Sequence, residues 1–112
     1  LTQKMDVLVD SPGWSGGNTT LTAIEAGMPI VTLPGAFMRG RHSYAMFRMM
    51  ELPSAIASDQ DDFVVKLVAI GRNAEARHAM RQELHGRKAA LYEDRSLIAA
   101  LDGFLKAEFA KL

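Results

Sequence analysis

Glycine and short hydroxyl side chains are concentrated in one stretch, Gly16-Gly17-Asn18-Thr19-Thr20, directly behind Asp10-Ser11-Pro12-Gly13-Trp14-Ser15. Such a run can hold an anion. Gly16 and Gly17 lack a Cβ, so the backbone there can close on a ligand. Asn18, Thr19 and Thr20 are residue types that open helices. A helix start presents unpaired N–H groups and the positive end of the helix dipole, which suits phosphate. The same pattern also serves a tight strand-to-helix turn in which Asn18 or Thr19 caps the helix, and spacing alone does not choose between the two. The loop is neither a Walker A sequence nor a G-x-G-x-x-G fingerprint.

Positive charge follows a short way along the chain in Arg39, Arg41, His42 and Arg48. Arg41 could neutralise an anion held by the glycine loop, or hold the loop in place; solvated arginines at a helix start are the plainer reading. Trp14 could stack on a base or sugar, although cover for a strand end is the commoner use of such a residue. Met38, Met46, Met49 and Met50 read as fillers of core gaps beside the loop. His78 and His85 lie seven apart on one predicted helix face with no carboxylate placed to complete a metal site. No Ser-His-Asp set, Cys-His pair or carboxylate dyad is visible, so no general base is apparent in this chain.

The elements that must position these groups follow from the apolar pattern. Met5 to Val9 is a short buried strand running into the loop. Helix-compatible residues from Leu21 to Ala26 end at Gly27, and Pro29 to Leu33 is a second strand, stopped by Pro34-Gly35. Strand, glycine loop, helix, strand is a βαβ unit with parallel strands. A helix from about Arg41 to Met50 carries Tyr44, Phe47 and Met50 at helical spacing. Ser54 to Ala57 is a possible third strand. The remainder is helical: one segment capped by Ser58 or Asp59 and running to Gly71, one from Asn73 or Ala74 to about Arg87, and one from Ser96 to Lys111. The last carries Leu97, Leu101, Leu105 and Phe109 as a stripe that has to pack on something.

At 112 residues, with 48% apolar and 23% charged side chains, the composition is that of one globular domain. Thirteen basic and thirteen acidic groups cancel. No overall field draws the chain to nucleic acid or an anionic membrane, and phosphate recognition has to be local. The absence of cysteine removes disulfides and thiolate metal sites and is compatible with the cytoplasm. No apolar run reaches the length of a membrane span. Two or three parallel strands are few for a sheet that needs cover on both faces. Further strands are therefore expected before Leu1, in a longer protein of which residues 1–112 form one part.

The run DVLVDSPGWSGGNTTLTAIEAGMPIVTLPG resembles, without gaps, a segment of the O-linked N-acetylglucosamine transferases, in particular the SPINDLY-like bacterial members. Arg41 falls on an arginine of that family. ELPSAIASDQDDFV and LYEDRSLIAALDGFL resemble later segments in the same order. The resemblance covers essentially the whole chain. It implies the C-terminal part of the donor-nucleotide-binding Rossmann-like lobe of a GT-B glycosyltransferase. Such an enzyme binds a nucleotide sugar, typically UDP-N-acetylglucosamine, and modifies protein hydroxyls without a metal or other cofactor. It further implies that Gly16, Gly17, Asn18, Thr19, Thr20 and Arg41 meet the diphosphate. Protein acceptors would be bound upstream, by tetratricopeptide-type repeats among other parts, and residues 1–112 alone would not turn over.

Thr22 departs from the family, standing where an acidic residue takes the ribose hydroxyls. A carboxylate accepts two hydrogen bonds there, and a threonine hydroxyl cannot replace both. Glu25, one turn further along, is set back from the loop. Pro12 is displaced by one place from the family's proline, and Ser15 replaces an asparagine. Two alternatives stay open: a degenerate lobe kept for assembly, and a lobe of a sugar-nucleotide epimerase. The thin sheet predicts that residues 1–112 on their own self-associate.

Overall fold

In a computed structural model, which describes residues 5–112, the βαβ unit forms as the pattern requires, although its strands are short. β1 (Leu8–Val9) and β2 (Ile30–Val31) pair in parallel, Leu8 against Ile30 and Val9 against Val31. The expected strands Met5–Val9 and Pro29–Leu33 thus shrink to two residues each. Pro29 has no N–H to donate and contributes only its carbonyl, to Leu8 N at 2.8 Å. The third strand expected at Ser54–Ala57 is replaced by a 3-10 turn, Pro53–Ala55, after which Ile56 makes a single parallel bridge to Thr32. Thr32 N donates to the Ala55 carbonyl at 2.9 Å and Ala57 N to the Thr32 carbonyl at 2.8 Å, so the sheet gains a third edge without a third strand.

Between the strands lies α1 (Asn18–Glu25). It begins three residues before the expected start at Leu21, because its cap is Gly17 and the polar residues Asn18, Thr19 and Thr20 form its first turn. It ends as predicted at Gly27, whose φ of +66° suits a residue without a Cβ. Gly27 N donates to Ile24 O and Met28 N to Ala23 O, the two bonds of a Schellman motif.

A 3-10 turn, Met38–Gly40, leads into α2 (His42–Met49). Phe47 and Met50 are buried and Tyr44 is half-buried. Two of the four methionines expected in the core are not there: Met38 and Met49 are exposed, while Met50 is buried and Met46 packs against the core. α3 (Gln60–Arg72) is capped by Asp59, whose carboxylate accepts from Asp62 N at 2.9 Å. α4 (Ala74–Arg87) is capped by Asn73, which accepts from Glu75 N and Ala76 N. These two helices form a hairpin that buries Phe63, Ile70, Met80 and Leu84 on Ala23, Ile24, Ile30, Val31, Phe47 and Leu52.

α5 (Ser96–Phe109) behaves differently from its neighbours. The stripe Leu97, Leu101, Leu105 and Phe109 does not pack on the rest of the described chain, and no residue of α5 is buried. The helix extends the molecule to 60 Å along its long axis against 27 and 23 Å across. No described helix is long and apolar enough to cross a membrane.

Candidate functional site

The carboxyl end of β1 runs directly into the glycine loop, and an open cleft of about 400 Å³ forms where the two meet. Leu8, Val9, Asp10, Ser11, Trp14, Ser15, Gly16, Gly17, Thr19 and Thr20 line it. Four of the sequence-predicted residues, Gly16, Gly17, Thr19 and Thr20, therefore share one concave surface. Asn18 is exposed beside them at the first position of α1, outside that lining.

Gly17 caps α1 with backbone alone, with no side chain bonding to a first-turn amide. Leu21 N is the first to find a helical acceptor, the Gly17 carbonyl at 3.1 Å. The N–H groups of Asn18, Thr19 and Thr20 have no protein acceptor among the described residues. Free donors and the positive helix end thus converge at the mouth of the cleft, an arrangement suited to an oxyanion. The reading in which Asn18 or Thr19 caps the helix is not realised.

The hydroxyls are committed more tightly than the spacing suggested. Thr20 is buried with its Oγ1 2.8 Å from Ser43 Oγ, so its hydroxyl is engaged inside the fold. Ser15 is buried too and donates to Asp10 Oδ2 at 2.7 Å. Asp10 Oδ1 takes the Gly16 N–H at 2.8 Å, and Asp10 Oδ2 also takes the Thr32 hydroxyl at 2.6 Å. Ser43, from the start of α2, donates its backbone N–H to Ser15 Oγ at 2.9 Å. Asp10, Thr32 and Ser43 were not singled out in the sequence. Only the Asp-Ser step beside the glycines hinted at one of them, since the other two are distant in the chain.

The second strand brings its own loop against the first. Ser15 N donates to the Arg39 carbonyl at 2.7 Å, and His42 Nδ1 lies 3.4 Å from the Ser15 carbonyl. A Cβ on Gly40 would stand 3.4 Å from the Cα atoms of both Gly13 and Gly35, so three backbone segments meet closely there. Arg41 donates from Nη1 to the Gly35 carbonyl at 2.9 Å and lies 4.5 Å from the centre of the Tyr44 ring. It holds the second loop in shape and does not line the cleft.

Trp14 does not cover the strand end. It is 70% exposed, and the Arg39 guanidinium lies over both its ring (5.9 Å) and that of Phe37 (5.4 Å). An aromatic face is therefore presented at the rim of the cleft. Thr22 lies outside the cleft lining and donates its hydroxyl to the Asn18 carbonyl at 2.9 Å, a bond to its own helix. Glu25 is engaged far from the loop: Lys88 Nζ at 2.8 Å and the Tyr92 hydroxyl at 2.6 Å both bond to its carboxylate and hold it below the usual carboxylate range. His78 and His85 are both exposed on α4.

Comparison with known proteins bears on the family and the fold. The sequence model of glycosyl transferase family 41 matches residues 2–101. A mutant form of the O-GlcNAc transferase of Thermobaculum terrenum superposes with a TM-score of 0.75 at 27% identity, over 89% of this chain and 20% of that one. The chain thus spans about a fifth of the solved protein's length. No curated protein sequence matches. The short parallel sheet with its helices is a partial Rossmann-like lobe of the GT-B kind. With the family match running over nearly all its length, the chain belongs to glycosyl transferase family 41, as an O-GlcNAc-transferase-like member.

Proposed function

We propose that residues 1–112 form the donor-binding part of a glycosyltransferase that takes UDP-N-acetylglucosamine and passes the sugar to protein hydroxyls. The observation that carries this reading is the unpartnered first turn of α1 at the carboxyl end of β1: Thr19 and Thr20 line the cleft, Asn18 stands beside it, and the three amides have no protein acceptor among the described residues. Gly16 and Gly17 let the diphosphate approach, and Arg41, bonded to the Gly35 carbonyl, supports the second loop. Neutralisation by amides and the positive end of α1 takes the place of a metal in this scheme. The group that activates the acceptor hydroxyl and the surface that binds the protein acceptor belong to other parts of the protein, repeats included.

Calorimetric titration of UDP, GDP and UDP-N-acetylglucosamine into the protein that carries this chain tests the reading. Selective UDP binding, lost in Thr19→Ala, supports it. A folded protein that binds none of the three does not use this loop for a nucleotide.

The bond from Thr22 to Asn18 favours a second reading, a lobe that has given up the ribose contact and serves assembly. Thr22→Asp discriminates. If the ribose contact is what is missing, UDP affinity rises by about 1–3 kcal/mol. Unchanged affinity would place the ribose elsewhere.

A further inference from the structure

Asp10 is only 5% exposed, and no cation pairs with it among the described residues. A buried carboxylate without a counter-ion is costly unless hydrogen bonds replace the lost water. Three donors do so here: Ser15 Oγ, Gly16 N and Thr32 Oγ1. Each donor comes from a part of the site that has to be held. Ser15 and Gly16 are the loop itself, and Thr32 closes the end of β2. Through Ser15 the network continues to Ser43 at the start of α2, and from Ser43 to Thr20 in the first turn of α1.

We propose that Asp10 is the positioning residue of the glycine loop, holding it so that the amides of the first turn of α1 face the cleft. The proposal rests on the nucleotide reading for its functional consequence and on Asp10 geometry for its structural one. By taking the Gly16 N–H inward, Asp10 settles which amides remain for a ligand: those of Gly17, Asn18, Thr19 and Thr20. Its negative charge would repel a phosphate if left bare. With three donors around it the charge is answered from within the fold, and the first-turn donors are left free.

Thr32 allows a clean test. It is fully buried and outside the cleft lining, so it cannot touch a nucleotide in the cleft. Any effect of its hydroxyl on binding has to pass through Asp10. Thr32→Val keeps the shape and removes the donor, whereas Thr32→Ser keeps the donor. In the protein that carries this chain, hydrogen exchange of peptides spanning residues 13–20 is measured beside UDP titration. The expected result is faster exchange confined to the loop and UDP binding weaker by about tenfold in Thr32→Val, with both restored in Thr32→Ser. Loop exchange and UDP affinity unchanged in Thr32→Val overturn the proposal. So does faster exchange spread over β1 and β2 with unchanged affinity of the folded fraction, which would mark Thr32 as core support only. Should Thr32→Val not fold, Ser15→Ala removes a different donor from the same carboxylate; because Ser15 lines the cleft, loop exchange decides there, faster exchange confined to the loop being expected and unchanged exchange overturning the proposal. A folded wild-type protein that does not bind UDP refutes the nucleotide reading, and loop exchange alone then decides the role of Asp10.

Discussion

Gly16 and Gly17 are adjacent and look interchangeable in the sequence, yet their surroundings differ. A Cβ on Gly16 would stand 2.7 Å from Thr20 Oγ1, a buried hydroxyl held by Ser43, with no room to withdraw. A Cβ on Gly17 meets nothing within 4 Å. Gly16→Ala is therefore expected to cost about 1–3 kcal/mol, and Gly17→Ala less than about 0.5 kcal/mol, in denaturant unfolding. Equal losses for the two would mean that the loop is not packed as described. What the sequence left out at this scale is the partner of each hydroxyl. Thr20 and Thr22 are both threonines of one helix, but one bonds to α2 and the other to its own backbone.

Helix ends were the most legible elements, since capping is local chemistry. Asp59, Asn73 and Gly27 perform the roles their types suggest. The end of α2 was not legible. There Glu51 N donates to Arg48 O and Leu52 N to Phe47 O, the same two bonds that glycine makes after α1, but with glutamate at φ +53°. A left-handed conformation is strained for a residue with a Cβ. Glu51→Gly should raise stability by about 0.5–1 kcal/mol in thermal or denaturant unfolding; a loss would show that the Glu51 side chain contributes more than its backbone strain costs.

The link between α1 and the 3-10 turn Lys88–Leu91 carries a pH dependence of definite sign. Lys88 and Tyr92 lower the Glu25 pKa, so the Glu25 link is present above the ordinary glutamate range and is lost as pH falls through the lowered value. The Glu25 carboxylate raises the Tyr92 pKa, so that contribution is present below the ordinary tyrosine range and is lost only as pH rises past the raised value. In Tyr44→Phe, absorbance titration should place Tyr92 above the ordinary tyrosine range, and adding Glu25→Gln should bring it back. No response to Glu25→Gln would remove the link.

At the scale of the molecule, α5 is the feature that composition and periodicity could not place. Its stripe was expected to pack, and it stands exposed from Leu97 to Phe109. With Ile98 and Phe104 also exposed, the patch is larger than scattered surface residues account for. Residues 1–112 on their own should therefore gain mass with concentration in light scattering, and Leu101→Glu with Leu105→Lys should restore a monomer. A stable monomer of the unmodified chain at high concentration would contradict this.

Sequence alone determined the βαβ order, the caps of α3 and α4, the position of the glycine loop and, through an ordered set of resembling segments, the family. Each of these depends on residues near one another in the chain, where steric and hydrogen-bonding preferences act directly. Tertiary structure alone decided which donors the loop keeps for a ligand, because Thr32 and Ser43 reach Asp10 and Ser15 only after β2 and α2 have packed. It also decided that Arg41 braces a loop and that Trp14 is exposed, since a side chain's role there depends on what lies across a gap the sequence does not measure.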